Sequence, residues 1–136
     1  MKLIVCLDNK NGMAFYGCRQ SRDAKVCEQI LARTGDSDLW MNAYSSKLFQ
    51  QCKDRVRIAE EVLADVPKDA YCFLENVDPS PYLDAVEELW VFRWNRDYPS
   101  DLKFPMEFIS LKLHKTATEE FSGRSHPRVT LEVFKP

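Results

Sequence analysis

Short, continuous apolar runs recur along the chain and predict strands. Lys2–Leu7, Leu39–Met41 and residues 71–74 are apolar almost throughout, which is typical of strands buried on both faces of a sheet. Residues 89–94 are rich in aromatic and β-branched side chains and predict another strand. Residues 55–59 alternate between apolar and polar positions, so they are a further strand candidate.

Between these runs, apolar residues recur at helical spacing. Val26, Cys27, Ile30 and Leu31 predict an amphipathic helix that begins at Ser21 as N-cap, with Asp23 in its first turn, and ends near Gly35. Either Ser45 or Ser46 is suited to cap a second helix. Shorter helices are predicted at the following segments: Lys47–Cys52, 60–66 and 82–88.

The C-terminal part alternates with a period of two. Residues 108–113 and 129–134 both show this pattern, which predicts an antiparallel hairpin closed by a long loop. Strands that alternate with helices imply crossovers between parallel strands. The prediction is therefore an α/β fold with a mostly parallel central sheet, flanking helices and a C-terminal antiparallel hairpin. A chain of 136 residues fits a single domain over residues 1–136.

Charge and composition narrow the functional classes. The net charge is −2, so a general nucleic-acid binder with a basic face is not expected. No apolar stretch approaches the length of a membrane span, and the N-terminal run is too short for a signal-peptide core. The five cysteines are odd in number and form no Cys-x-x-Cys pair, which favours reduced thiols and a cytoplasmic location. Two histidines without a Cys/His cluster predict no metal site.

Several segments, taken in order, resemble the dihydrofolate reductase family. The opening Leu-Ile-Val-Cys-Leu-Asp-Asn-Lys-Asn-Gly-Met is similar to that family's first strand and its glycine-bearing loop. Leu-Trp-Met-Asn-Ala-Tyr-Ser at residues 39–45 is similar to the strand that ends in Met-Gly-Arg-x-Thr. Asp-Leu-Lys-Phe-Pro at residues 101–105 is similar to an Asp-x-x-Phe-Pro element. The resemblance spans nearly the whole chain and implies that family's fold, which bacterial riboflavin-pathway reductases share.

The departures from the family concern its NADPH site. Where the resemblance places a Gly-Gly pair that lets the backbone approach the cofactor diphosphate, this chain has Glu75-Asn76. In the Met-Gly-Arg-x-Thr pattern, the glycine and the arginine are replaced by Asn42 and Ala43, and only the hydroxyl of Ser45 remains. The resemblance therefore implies a shortened, divergent member of the fold for which no cofactor is expected.

A ligand cleft is expected where the central strands end. In open α/β sheets such clefts lie at the carboxyl ends of the strands. Asp23 is a candidate for the carboxylate with which the family holds the pterin ring, or it only stabilises the helix N-terminus electrostatically. The other residues predicted to line the cleft are Asn11, Met13, Asn42, Tyr44, Ser45, Glu75 and Asn76.

Three other groups of residues have both a structural and a functional interpretation. Residues 93–99 combine tryptophan, tyrosine and arginine, and either stack on a heteroaromatic ligand or form a strand end with its aromatics in the core. Arg124 and His126 follow Gly123 in a predicted loop, where they bind an anion or are solvated. Cys18 beside Arg19 lacks a nearby histidine, so the sequence gives little support for a catalytic thiol.

Two functions follow from these patterns. The first is a non-canonical binding protein on a dihydrofolate reductase-like scaffold, with a small molecule or a protein as its partner. The second is a divergent NADPH-dependent reductase of a pterin-like or other heterocyclic substrate. The missing glycines favour the first, and the preserved strand order keeps the second open.

Overall fold

A seven-stranded sheet forms the centre of the computed structural model, which describes all 136 residues, Met1–Pro136. The strand order is β5-β4-β6-β1-β7-β10-β9, and a second sheet has the order β3-β2-β8. The strands are β1 (Lys2–Leu7), β2 (Gly12–Phe15), β3 (Cys18–Arg19), β4 (Leu39–Met41), β5 (Val56–Ile58), β6 (Tyr71–Phe73), β7 (Glu88–Arg93), β8 (Leu102–Lys103), β9 (His114–Phe121) and β10 (Val129–Lys135).

The helices are short apart from the first. They are α1 (Ala24–Thr34), α2 (Ala43–Ser46), α3 (Val62–Asp65) and α4 (Met106–Ile109), with 3-10 helices at Lys47–Cys52 and Ser80–Ala85. No helix is long and apolar enough to cross a bilayer. Strands β5, β4, β6, β1 and β7 are mutually parallel, whereas β10 and β9 pair antiparallel. The predicted α/β fold with a C-terminal antiparallel hairpin is thus confirmed.

Alternate residues of β1 supply the two faces of the central sheet. Leu3 and Val5 pack in one core cluster with Leu63 of α3, whereas Ile4 packs in the other with Ile30 of α1. Because both faces are buried, β1 shows no polar alternation, which is why the sequence reads as a continuous apolar run. The aromatic strand is also buried within this chain, with Trp90, Phe92 and Trp94 at most 7% exposed.

The structure corrects three local predictions. Helix α1 begins at Ala24, so that Asp23 and not Ser21 is its N-cap. Met13, predicted in a loop, lies in β2 and is buried. The 3-10 geometry of Lys47–Cys52 replaces the predicted α-helix, with Phe49 non-helical at its centre.

The first strand of the terminal hairpin was also predicted at the wrong place. Residues 108–113 include the end of α4 and the turn after it, and the partner of β10 is β9, whose side chains are exposed except for the partly buried Phe121. An outer strand with both faces in solvent needs no apolar alternation, so the pattern gave no signal for β9. Pro105 precedes α4, where its missing N–H costs no helical hydrogen bond.

Candidate functional site

The carboxyl ends of β4 and β6 lie side by side, as expected. The two strands pair in parallel, with Leu39 opposite Tyr71 and Trp40 opposite Cys72. The Asn42 Nδ2 group donates to Asn76 Oδ1 at 3.0 Å. Asn42 also caps α2, because its Oδ1 accepts from the backbone N–H of Ser45 at 3.0 Å.

Glu75 lies buried at the centre of these strand ends. Its Oε1 accepts from Ser45 Oγ at 2.7 Å and from Arg19 Nη2 at 3.0 Å, and its Oε2 accepts from Arg19 Nε at 2.8 Å. The Arg19 guanidinium lies over the Tyr44 ring, 4.2 Å from the centroid, and the Arg19 backbone N–H donates to the Tyr44 hydroxyl. We call Asn42, Tyr44, Ser45, Glu75, Asn76 and Arg19 the strand-end cluster.

A tight hairpin delivers Arg19 to this cluster. Phe15 pairs with Cys18, so only Tyr16 and Gly17 form the turn, and both have positive φ, as this turn type requires. The Gly17 carbonyl accepts from Asn76 Nδ2 at 2.9 Å. Burial disfavours the charge of Arg19, but the hydrogen bonds and the negative charge of Glu75 outweigh burial and raise the pKa of Arg19. Sequence patterns gave Arg19 no such role, because its partner is 56 residues away.

Asn11 and Met13 make none of the hydrogen bonds of the strand-end cluster. The Asn11 Oδ1 accepts from Arg93 Nη1 at 2.6 Å, and Arg93 also pairs with Glu132 at 2.8 Å. Met13 packs in the core cluster that contains Leu3 and Val5. The structure thus gathers Asn42, Tyr44, Ser45, Glu75 and Asn76, and leaves these two in other surroundings.

Asp23 is the centre of a second polar cluster, at the N-terminus of α1. Its Oδ1 accepts from the backbone N–H groups of Lys25 at 2.8 Å and Arg124 at 3.0 Å. Its Oδ2 accepts from the backbone N–H groups of Ser125 at 2.9 Å and His126 at 3.1 Å. Burial opposes its ionisation, but these donors prevail and hold the pKa of Asp23 well below its usual range.

The imidazole of His126 completes this second cluster. Its Nδ1 lies 3.1 Å from Asp23 Oδ2, and its Nε2 lies 3.1 Å from Ser21 Oγ and 3.0 Å from Tyr98 Oη. The ring stacks on Trp94 with centroids 4.5 Å apart and is 3% exposed. His126 was predicted only as an anion-binding or solvated loop residue, and its burial against Trp94 excludes a solvated position.

A large cavity lies beside Asp23 and not at the strand ends. It has a volume of about 970 Å³ and is formed between α1 and the Lys47–Cys52 3-10 helix. Its apolar wall includes Leu31 and Leu48, and its charged residues include Arg22 and Lys47. None of the residues of the strand-end cluster lines it. Of the residues predicted to line the cleft only Asp23 does, and its carboxylate oxygens already accept hydrogen bonds from backbone donors.

Comparison with known proteins identifies the fold. The sequence matches no protein-family profile and no curated protein. The structure is similar to that of dihydrofolate reductase from Enterococcus faecalis, solved in complex with NADP(H) and RAB-propyl, at a TM-score of 0.67 and 14% sequence identity. The match covers 98% of this chain and 94% of the enzyme. At this identity the likeness shows the fold alone, and by that measure the chain has the dihydrofolate reductase-like α/β fold.

Proposed function

We propose that this chain is a non-canonical ligand-binding protein on a dihydrofolate reductase-like scaffold, whose ligand occupies the cavity beside α1. The pairing of Arg19 with Glu75 carries the proposal. A dinucleotide diphosphate needs open backbone and free positive charge. At the strand ends the side chains of Glu75 and Asn76 fill the place of the glycine pair, and the nearest cation is neutralised by Glu75. These residues do not fit a diphosphate.

The cavity favours a small organic anion with an apolar body. Leu31 and Leu48 offer apolar contact, while Arg22 and Lys47 have no carboxylate within salt-bridge distance. Arg124, also on the cavity wall, is held by Glu28 at 2.9 Å. Two unpaired cations beside an apolar wall are complementary to a carboxylate or phosphate attached to a hydrophobic group.

The alternative is a divergent NADPH-dependent reductase of a pterin-like or other heterocyclic substrate. The similar enzyme carries NADP(H), and Asp23 lies on the cavity wall, as a substrate-holding carboxylate would. A heterocycle that binds Asp23 must displace at least one of the backbone donors from Arg124, Ser125 or His126. The role of Asp23 toward a ligand stays a prediction.

Binding of NADPH separates the two functions. We expect no thermal stabilisation and no quenching of tryptophan fluorescence by NADPH up to millimolar concentration. The triple variant Arg19→Ala, Glu75→Gly, Asn76→Gly removes the side chains that fill the strand ends, and a gain of NADPH binding in it would support their blocking role. Saturable stabilisation of the wild-type protein by NADPH would overturn the proposal in favour of the reductase.

The anion preference of the cavity is tested with a panel of aromatic and aliphatic carboxylates and phosphates. A ligand that stabilises the wild type should lose affinity in Arg22→Met and in Lys47→Met, by roughly tenfold for each lost charge-assisted hydrogen bond. Lys103→Met is the matched control, since Lys103 is an exposed cation in β8, away from the cavity. An equal loss of affinity in Lys103→Met would mean that the ligand responds to the net charge of the protein and not to the cations of the cavity.

We infer that the protein is located in the cytoplasm. All five cysteines are free, which a reducing compartment maintains. A protein partner in place of a small ligand would be found by affinity capture followed by competition with excess untagged protein. Nucleic acid stays an unexpected partner at a net charge of −2.

A further inference from the structure

Three side chains at the N-terminus of α1 form a directed chain of hydrogen bonds. Ser21 Oγ lies 3.1 Å from His126 Nε2, and His126 Nδ1 lies 3.1 Å from Asp23 Oδ2. A serine hydroxyl, an imidazole and a carboxylate in this order and at these distances define a nucleophile, a base and a group that orients the base. The arrangement is recognised by geometry, since the three residues have no common sequence motif.

The surroundings of His126 determine which of its two ring nitrogens carries the proton. Because Asp23 stays ionised and can only accept, it selects the tautomer in which Nδ1 carries the proton and donates to it. Nε2 then has a free lone pair for the Ser21 hydroxyl. The imidazole cannot rotate away, because Trp94 stacks on it at an interplanar angle of 22°.

The solvent exposure of the three side chains also suits a nucleophile that is reached from solvent and a base that is buried. Ser21 is partly exposed, whereas the side chains of His126 and Asp23 are 2% and 0% exposed. The next residue, Arg22, is an unpaired cation on the wall of the 970 Å³ cavity. A reagent can therefore meet the hydroxyl from solvent while the base stays dry beneath it.

We propose that Ser21 is an activated nucleophile, with His126 as its general base and Asp23 as the positioning residue, and that it reacts with small esters, preferentially those with an acidic group that Arg22 attracts. This proposal goes beyond the ligand-binding function and does not depend on it. The reaction needs no cofactor, since the nucleophile and the base both belong to this chain.

The reaction with an ester needs no reagent other than water. Ser21 Oγ forms a bond to the carbonyl carbon while its proton passes to His126 Nε2. The bond to the leaving alcohol breaks, and the alcohol takes the proton from the imidazole. Water, deprotonated by the same nitrogen, then releases the acid and restores Ser21. A fluorophosphonate reports the first step alone, because phosphorus bonds to Oγ, fluoride departs and the adduct stays.

Tyr98 provides a further test of the proposed roles of Ser21 and His126. Its hydroxyl lies 3.0 Å from His126 Nε2 and 3.4 Å from Ser21 Oγ, so it competes with Ser21 for the single lone pair of the base. The charged or titratable groups that contact His126 are thus Asp23 and Tyr98, and the remaining contacts are Ser21, Ser125 and Trp94. Removal of the competing hydroxyl by Tyr98→Phe should speed the reaction of Ser21.

The experiment uses a fluorophosphonate probe on the intact chain, with the modified residue mapped by mass spectrometry and the release of p-nitrophenolate from p-nitrophenyl acetate as a second readout. Folded wild-type protein should be labelled at Ser21, whereas wild-type protein unfolded in urea should not be labelled. Ser21→Ala should abolish labelling, and His126→Gln should slow it at least about 100-fold, the usual share of a general base. Ser110→Ala, which removes an exposed hydroxyl in the turn after α4, is the control that should label like wild type.

A role of Asp23 in orientation is separated from a purely structural role by pH. In the wild type the labelling rate should fall as the pH is lowered, because a protonated imidazole has no free lone pair. Asp23→Asn should slow labelling while thermal unfolding shows a folded protein, and Asp23→Glu should restore part of the rate. Absence of label on folded wild type, label at another residue, or a rate that is independent of pH and of His126 would each overturn the proposal. NADPH or anion binding would be unaffected by any of these results.

Discussion

The guanidinium of Arg19 and the carboxylate of Glu75 form two hydrogen bonds of 2.8 and 3.0 Å, just beyond the carboxyl end of strand β6. The pair joins the β2–β3 hairpin to the carboxyl edge of the sheet. Glu75 is only 6% exposed, and its carboxylate oxygens accept hydrogen bonds from Arg19 and from the Ser45 hydroxyl. An ion pair thus lies at the edge of the sheet where the sequence predicted a ligand cleft.

Loss of Arg19 should cost far more than loss of a surface ion pair. Arg19→Met leaves the Glu75 charge buried without its cation, so we expect a loss of about 3 kcal/mol in the free energy of unfolding. The double variant Arg19→Met, Glu75→Leu should recover most of this loss, since no buried charge remains. Urea unfolding measures both. Arg33→Met is the control, because its pair with Glu119 is exposed and should be worth less than about 1 kcal/mol.

Asp23 should make the free energy of unfolding depend on pH in the acidic range. The pKa of Asp23 is lower in the folded state than in the unfolded state. Its contribution to stability is therefore fully present above the unfolded-state pKa of about 4, and it is lost as the pH falls toward the folded-state pKa. Asp23→Asn should therefore lower stability by about 3 kcal/mol at pH 7, and its difference from wild type should shrink as the pH falls below about 4. Urea unfolding across pH tests this, with exposed Asp36→Asn as control. A constant difference at all pH values would refute the linkage.

Gly123 is the residue beside Asp23 that tolerates no side chain. A Cβ there would lie 2.5 Å from Asp23 Oδ2 and 2.7 Å from the His126 carbonyl oxygen. Gly123→Ala should therefore destabilise the protein by about 2 kcal/mol or more and disturb the His126 ring. Gly17→Ala is the comparison, with a φ of +74° and no atom within 4 Å, and should cost only about 1 kcal/mol. Calorimetry and the His126 NMR resonances would show both effects.

The thiols should differ sharply in reactivity. Burial and the charge of Glu75 raise the pKa of Cys27 to about 11, and burial raises that of Cys72 to about 12. Because the thiolate is the reactive form, both should resist iodoacetamide at pH 8 while exposed Cys18 is modified. Peptide mapping after timed alkylation distinguishes the sites. If Cys27 reacted as fast as Cys18 in the folded protein, its raised pKa and its partly buried position would both be contradicted.

The sequence predicted those features that depend on local patterns. Strands β1, β4 and β6 and helix α1 were identified, because burial on both faces or on one helical stripe leaves a clear periodicity. The proximity of Asn42 to Glu75 and Asn76 also followed, since parallel neighbours end at one edge of the sheet.

The long-range pairs could not be predicted. Asp23 and His126 are 103 residues apart, and neither has a neighbour in sequence that signals the other. Arg19 likewise reaches Glu75 only because a two-residue turn folds its strand back onto the sheet. Such contacts are decided by tertiary packing, and a single sequence carries no local trace of them.

The outer position of β9 bears on self-association. Its free edge presents unpaired backbone N–H and C=O groups over an exposed eight-residue strand, which is a template for edge-to-edge joining of two molecules. Lys115, Glu119 and Glu120 place charges along that edge, and charged side chains discourage such joining. Added salt screens exposed charges. The colloidal behaviour of this protein at high concentration will therefore depend on ionic strength through this strand.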